Sequence, residues 1–201
     1  MQIGGQTGTG NTKTADGNIN TPIRQGGQNE MMVSELHGQL YEQTYRGNLY
    51  SVANQAAVTS TAALATTFTG LAIANPSTSG FNLVIKRFTA SQFAVGAAGA
   101  IGIMCGTGAA AGSLTPVNRI LNGKPSVATA SAGATIATPV LYETYGSVGS
   151  LATTGYGVMP GIVADLSGSL IVPPGFYAAS YTTVATTTAL IFGFVWEEVP
   201  L

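Results

Sequence analysis

The sequence predicts an all-β domain, a sandwich or barrel, preceded by an extended N-terminal arm. Three observations lead there. From Asn48 onward, short runs enriched in Val, Ile, Tyr, Phe and Thr recur without the long amphipathic stretches that a βαβ alternation needs. Turn-forming clusters separate the runs. The first 28 residues, by contrast, are Gly-, Gln-, Thr- and Asn-rich and hold almost no large apolar side chain. A length of 201 residues suits one domain with such an arm.

Taken in order, residues 1–47 form the arm, flexible over 1–28. The segment Glu30–Arg46 then gathers apolar residues, with Val33, Leu36 and Leu40 at i, i+3 and i+7, a spacing that favours a short amphipathic helix. Gly38 weakens a helix, and a strand laid along a neighbouring subunit is the alternative. The domain proper occupies 48–201. Its candidate strands are Leu49–Ala53, Phe68–Ala74, Asn82–Thr89, Ala100–Cys105, Val117–Leu121, Pro139–Tyr145, Leu170–Val172, Phe176–Tyr181 and Ala189–Glu197. Between them Asn75-Pro76-Ser77, Asn122-Gly123-Lys124-Pro125 and Pro173-Pro174-Gly175 supply turns: Pro presets φ, Asn bonds its own backbone, and Gly accepts positive φ. Ala56–Thr67 has the alanine of a helix, but its β-branched Val58, Thr59, Thr61, Thr66 and Thr67 favour an ordered loop. Ala94–Gly112 is apolar over 19 residues, the length of a membrane span. Six of those residues are glycines and no basic or aromatic belt flanks them, so two short strands joined by a Gly-rich turn are expected instead.

Charge is the scarcest resource in this chain. Only 7% of residues are charged, where about 25% is ordinary, and the net charge is −1. Seven of the 15 charges fall in residues 1–47. A nucleic-acid binder needs a concentrated basic surface, so that partner is not expected. No membrane partner is expected either, and the N-terminus lacks the basic-then-apolar pattern of a signal peptide. One cysteine, Cys105, excludes an intrachain disulfide, and one histidine, His37, excludes a multi-histidine metal site. A free monomer keeps charge outside for solubility; a surface of Thr, Ser, Asn, Gly and Ala suits one mated to other subunits.

The search for chemistry returns little. Gly106-Thr107-Gly108…Gly112 places its last glycine one residue late for a dinucleotide fingerprint, and no acidic residue follows about 20 positions on. Cys105 sits in an apolar run with no nearby base. His37 has Glu35 and Glu42 near it in sequence, but lies on the least core-like segment. Glu197 and Glu198, adjacent on a strand, point to opposite faces and cannot pair for glycoside chemistry; a solvated or interface edge is expected for them. No calcium loop or glycosylation acceptor occurs, Asn75-Pro76-Ser77 carrying the forbidding proline. The reading is a non-enzyme without cofactors. Tyr142, Tyr145, Tyr156 and Trp196 are the aromatics available to a glycan, with core positions as the alternative.

Two blocks carry a resemblance. One is Val33-Ser-Glu-Leu-His-Gly-Gln-Leu-Tyr-Glu-Gln-Thr-Tyr-Arg-Gly-Asn-Leu-Tyr50, continuing to Thr69-Gly-Leu-Ala-Ile-Ala-Asn-Pro76. The other is Val172-Pro-Pro-Gly-Phe-Tyr177 with Phe194-Val-Trp-Glu-Glu-Val-Pro-Leu201. They resemble structural proteins encoded by tailed bacteriophages, most nearly the capsid decoration (cement) proteins. The resemblance implies a jelly-roll-like β-sandwich with an N-terminal arm, a homotrimer on the capsid exterior of the virion, made in the host cytoplasm. Its implied partners are the major capsid protein and further copies of itself, joined by arm exchange. The alternative is a head-fibre, tail or baseplate adapter that binds another virion protein or a host glycan. A small hydrolase or nucleotide-binding domain is the reading from a different class. The interface candidates are Arg24 and Arg46, which suit bidentate pairing with a neighbour's carboxylates, together with Tyr41, Tyr45 and Trp196. Trp196 is expected as a core or interface anchor.

Overall fold

The computed structural model describes residues 39–92, 94, 97–108, 112–149 and 161–201. Leu40–Leu201 make one unit. Among its described residues it is all-β but for a five-residue helix, α1 (Tyr41–Tyr45). The strands are β1 (Leu49–Ala53), β2 (Val58–Ser60), β3 (Thr67–Ala74), β4 (Phe81–Gln92), β5 (Gly99–Thr107), β6 (Val117–Asn118), β7 (Thr129–Thr135), β8 (Val140–Val148), β9 (Gly161–Val172), β10 (Phe176–Thr182) and β11 (Thr186–Pro200).

Two antiparallel sheets face each other. The first runs β6-β1-β11-β4-β9, with β2 also on β11; the second runs β7-β3-β10-β5-β8. Eight of these strands form the framework: β1, β3, β4, β5, β8, β9, β10 and β11. Within it the first pairs with the last, β1 with β11, and the second with the seventh, β3 with β10. The third pairs with the sixth, β4 with β9, and the fourth with the fifth, β5 with β8. Successive pairs alternate between the sheets, so the chain is one long ribbon rolled around the core, which is the jelly-roll arrangement.

Period-2 patterning builds the core. On β11 Leu190, Phe192, Phe194 and Trp196 point inward and are fully buried. They meet Leu71 and Ile73 of β3, Ile101 and Ile103 of β5, and Phe88 of β4. Phe88 lies at the centre, its ring 5.1 Å from that of Phe194 and 6.1 Å from those of Phe192 and Tyr145. The other face of the second sheet carries a smaller cluster of Ala72, Ala74, Met104, Tyr177 and Ala179, with Phe68 and Ile136 against it. Tyr177 lies across Gly106, where any Cβ would strike its hydroxyl, and donates a 3.0 Å hydrogen bond to the Ala137 carbonyl.

One residue in β4 resets the alternation. Leu83 and Ile85 face the core before it, Phe88, Ala90 and Gln92 after it, so odd positions give way to even. The register passes from Trp196↔Ile85 to Val195↔Arg87, leaving Lys86 as the extra residue. Across β9 the same step runs from Leu170↔Ile85 to Asp165↔Arg87, and the intervening residues bow out. Ser167 and Gly168 take positive φ there, 47° and 87°. Asp165 Oδ1 holds the bow by accepting from the Ser167 N–H and hydroxyl.

Several expectations are refined. The ordered loop expected at Ala56–Thr67 contains a short strand, β2, in which Val58 and Ser60 pair with β11. Val117–Leu121 is a strand over two residues only, since Asn118 turns the chain. β7 was not expected at all; Thr129–Thr135 (TASAGAT) is too small in side chain to read as half-buried. The apolar stretch 94–112 holds one strand among its described residues, β5, rather than two. No helix among the described residues is long and apolar enough to cross a membrane. Within 30–46 the described residues hold a short helix at Tyr41–Tyr45, but Val33 and Leu36, which carried the expectation of a helix or strand, lie outside the described residues, as do the rest of 30–38, Arg24, His37, Tyr156 and the arm over 1–28.

Candidate functional site

The chemistry-bearing side chains are dispersed. Among the described residues no three of His, Cys, Asp and Glu come together as metal ligands would. Burial pushes the half-buried Cys105 thiol up to about 11, so it is protonated and a poor nucleophile at neutral pH. Glu197 and Glu198 do face opposite ways, but neither forms a solvated edge. Glu197 pairs on the outer face with Lys86 at 2.8 Å, and Glu198 is buried at the core's margin. Glu198 Oε1 accepts from the Ser126 hydroxyl and from the Val127 N–H at 2.9 Å, fixing the segment that leads into β7. Above it Tyr50 stacks on Trp196, ring centroids 6.1 Å apart. Burial, reinforced by the Glu198 charge, pushes the Tyr50 phenol up to about 12. This cluster is structural: it ties β1, β11 and the 118–127 segment into one corner.

What the molecule does present is two lateral edges of unlike construction. On one side stand β6 and β7. β6 is two residues long, and Asn118 ends it by donating from Nδ2 to the carbonyls of Gly47 (2.8 Å) and Lys124 (3.1 Å) while accepting the Ile120 N–H. β7 is flanked by Ser113 and Leu114, whose N–H groups both donate to the Ala130 carbonyl. Beyond this edge sits α1. Its Tyr41 and Tyr45 rings stack at 6.0 Å and 9°, and Arg46 bonds Glu42 at 2.7 Å one turn back. Val117, Ile120 and Leu121 are exposed on the adjoining turn, Leu121 at 89%.

On the opposite side stand β8 and β9. β8 pairs with β5 and, among the described residues, has no strand on its other flank; β9 is likewise paired only with β4. These strands are nine and twelve residues long. Val140, Leu141 and Tyr142, three in succession, are each at least 40% exposed, so both faces of β8 meet solvent at that end. Val163 and Ile171 are exposed on β9, and the Tyr142 hydroxyl donates to the Ser169 carbonyl, joining the two strands. Neither strand contains a lysine or a proline, and each carries one acid, Glu143 and Asp165. Long edge strands can template further strand pairing, and here the guarding features are the bulges of both strands rather than lysine or proline.

The interface candidates therefore divide. Tyr41, Tyr45 and Arg46 share α1 and are exposed, although Arg46 is engaged by Glu42 within its own helix. Trp196 takes the core alternative: with no exposed surface, it cannot touch a partner. Of the glycan candidates, Trp196 is buried and Tyr145 packs on Phe88 with its phenol pushed above the ordinary range by burial, while Tyr142 is exposed and Tyr156 lies outside the described residues. Sequence reasoning missed Val140, Leu141, Val163 and Ile171, which in composition look like core. The available signal was Val140-Leu141-Tyr142, which breaks the alternation a half-buried strand requires. No known protein family, curated protein or solved structure matches this chain.

Proposed function

We propose that this chain is a non-enzymatic virion structural protein of a tailed bacteriophage, which binds the major capsid protein and copies of itself and stabilises the shell from outside. The observation that carries the reading is the open β8–β9 edge on a sandwich with 7% charged residues. Such a surface is costly to leave bare and is accounted for if other subunits cover it. The resemblance of residues 33–76 and 172–201 to phage structural proteins supplies the particle, and a jelly roll is at home in shells, though the fold serves other functions too.

Copy number decides between this role and its neighbours. Quantitative mass spectrometry of purified virions should find a copy number that tracks the major capsid protein, as expected of a component spread over the shell. A few dozen copies or fewer would favour a fibre, tail or baseplate adapter. Absence from the particle would overturn the structural reading.

A further inference from the structure

We infer that one water molecule is bound inside the sandwich, at the corner where β1 meets β11, held by the Trp196 indole, the Glu198 carboxylate and the Tyr50 hydroxyl. Three buried polar atoms point to it. Trp196 Nε1, Glu198 Oε2 and the Tyr50 hydroxyl are each shielded from solvent and find no hydrogen-bond partner among the described residues. Folded proteins leave few buried polar atoms unpaired, because each has given up its bonds to solvent for nothing. Here three fall on adjoining side chains of one corner.

The fold brings those side chains together. Tyr50 is the register partner of Trp196 across β1 and β11, and their rings stack at 6.1 Å and 22°. Glu198 lies two residues beyond Trp196 on the same strand and therefore shares its inward face. Besides burial, the Glu198 charge pushes the Tyr50 phenol up, so the two groups are near each other, yet no hydrogen bond joins them. The neighbouring donors are committed elsewhere. Asn118, beside the phenol, gives its amide protons to the carbonyls of Gly47 and Lys124. The Ser126 hydroxyl and the Val127 N–H both go to Glu198 Oε1, the other oxygen of the carboxylate.

The bonding demands identify the occupant. An indole N–H only donates, so whatever meets Trp196 must accept. A carboxylate oxygen accepts, so whatever meets Glu198 must donate, and the Tyr50 hydroxyl does either. A metal cation cannot take the indole proton, and the carboxylate repels an anion. Water meets all three demands, and three hydrogen bonds is the usual number for a water inside a protein. Through it Trp196 and Glu198 of the last strand are tied to β1 as well as to the segment that leads into β7.

The test uses the full-length chain, in which Trp196 is the sole tryptophan, so its indole N–H gives one NMR signal of its own. A water-selective NOE experiment should show a cross-peak between the water resonance and that proton, with the sign of a long-lived contact. A nearby hydroxyl that exchanges its proton with solvent imitates this signal, so Tyr50→Phe and Ser126→Ala are measured in parallel. Both variants leave the water its bonds to Trp196 and Glu198, and both should retain the cross-peak. Its absence from the parent, or its loss in either variant, would overturn the inference. A crystal structure checks it independently. Density for one water about 3 Å from both Trp196 Nε1 and Glu198 Oε2 is expected. A direct bond between those two atoms, or an occupant other than water, would overturn it. Neither readout involves the particle or self-association, so failure here leaves the assembly reading standing.

Discussion

The two lateral edges of this sandwich solve the same problem in opposite ways. At the β6/β7 edge several backbone groups have a partner within the chain: Asn118 knots three together, and Ser113 and Leu114 close on Ala130. At the β8/β9 edge neither strand has a further strand beside it among the described residues. The first arrangement uses a short strand and a polar side chain. The second shows no such contacts among the described residues. An uncovered edge strand can template further strand pairing, so under the proposed function this contrast marks the β8/β9 side as the one to test for a partner.

The largest effect should fall on the closed side. Trp196→Ala removes the buried ring that stacks on Tyr50 and should cost about 3–5 kcal/mol in urea unfolding; a loss below ~1 kcal/mol would mean that the corner does not depend on it. Asn118→Ala leaves the Gly47 and Lys124 carbonyls and the Ile120 N–H without their partner and should cost about 1–3 kcal/mol by the same measurement. A similar loss, ~1–3 kcal/mol, is expected on the open side from Gly102→Ala, because a Cβ there would sit on the Glu143 carbonyl and prise β8 from β5. Hydrogen exchange should then rise in β8 first; uniform exchange would show that the open edge is not an independent unit. Gly168→Ala, at φ 87° in the β9 bow, should cost about 1 kcal/mol.

The smallest effect is a pH dependence. Tyr50 and Tyr177 both have phenols pushed up to about 12 from 10.0, chiefly by burial. Between those values the unfolded chain has lost protons that the folded chain keeps. The contribution of these two phenols is therefore intact below pH 10 and falls as pH rises toward 12, while that of Cys105, raised from 9.0 to about 11, is lost over a lower window. Tyr50→Phe should flatten part of that fall in melts taken across this window and Tyr177→Phe a further part, with Tyr145 and Cys105, also raised by burial, carrying the remainder. An unchanged slope in the double variant would place the alkaline loss elsewhere.

How much of this was legible beforehand depends on which side of the molecule is asked about. Nine strand positions were readable from β-branched and aromatic runs, because β11, β4 and β1 alternate large side chains against small or polar ones. β7 was hidden because Ala, Ser and Gly carry no periodic signal, and the first half of β9 because Gly161–Ala164 alternates too weakly. Trp196 could not be assigned to core or surface from sequence alone; its neighbour across the sheet, Tyr50, is 146 positions away in the chain. The open edge was out of reach for the same reason. Whether Val140 and Ile171 face a core or a vacancy depends on which strands fall last in each sheet, and that order is a property of the rolled ribbon, not of any local run.

The pairing of first strand with last also sets a timetable for synthesis. β11 lies between β1 and β4, so the first sheet has a gap at its centre until residues 186–200 have left the ribosome. At typical rates of translation that delay is roughly ten to thirty seconds after β1 emerges. Throughout it β1 and β4 each expose a flank that the finished protein buries, and the core aromatics Tyr50 and Phe88 wait without Trp196 and Phe194. The nascent chain thus carries temporary open edges that close only when the last strand inserts.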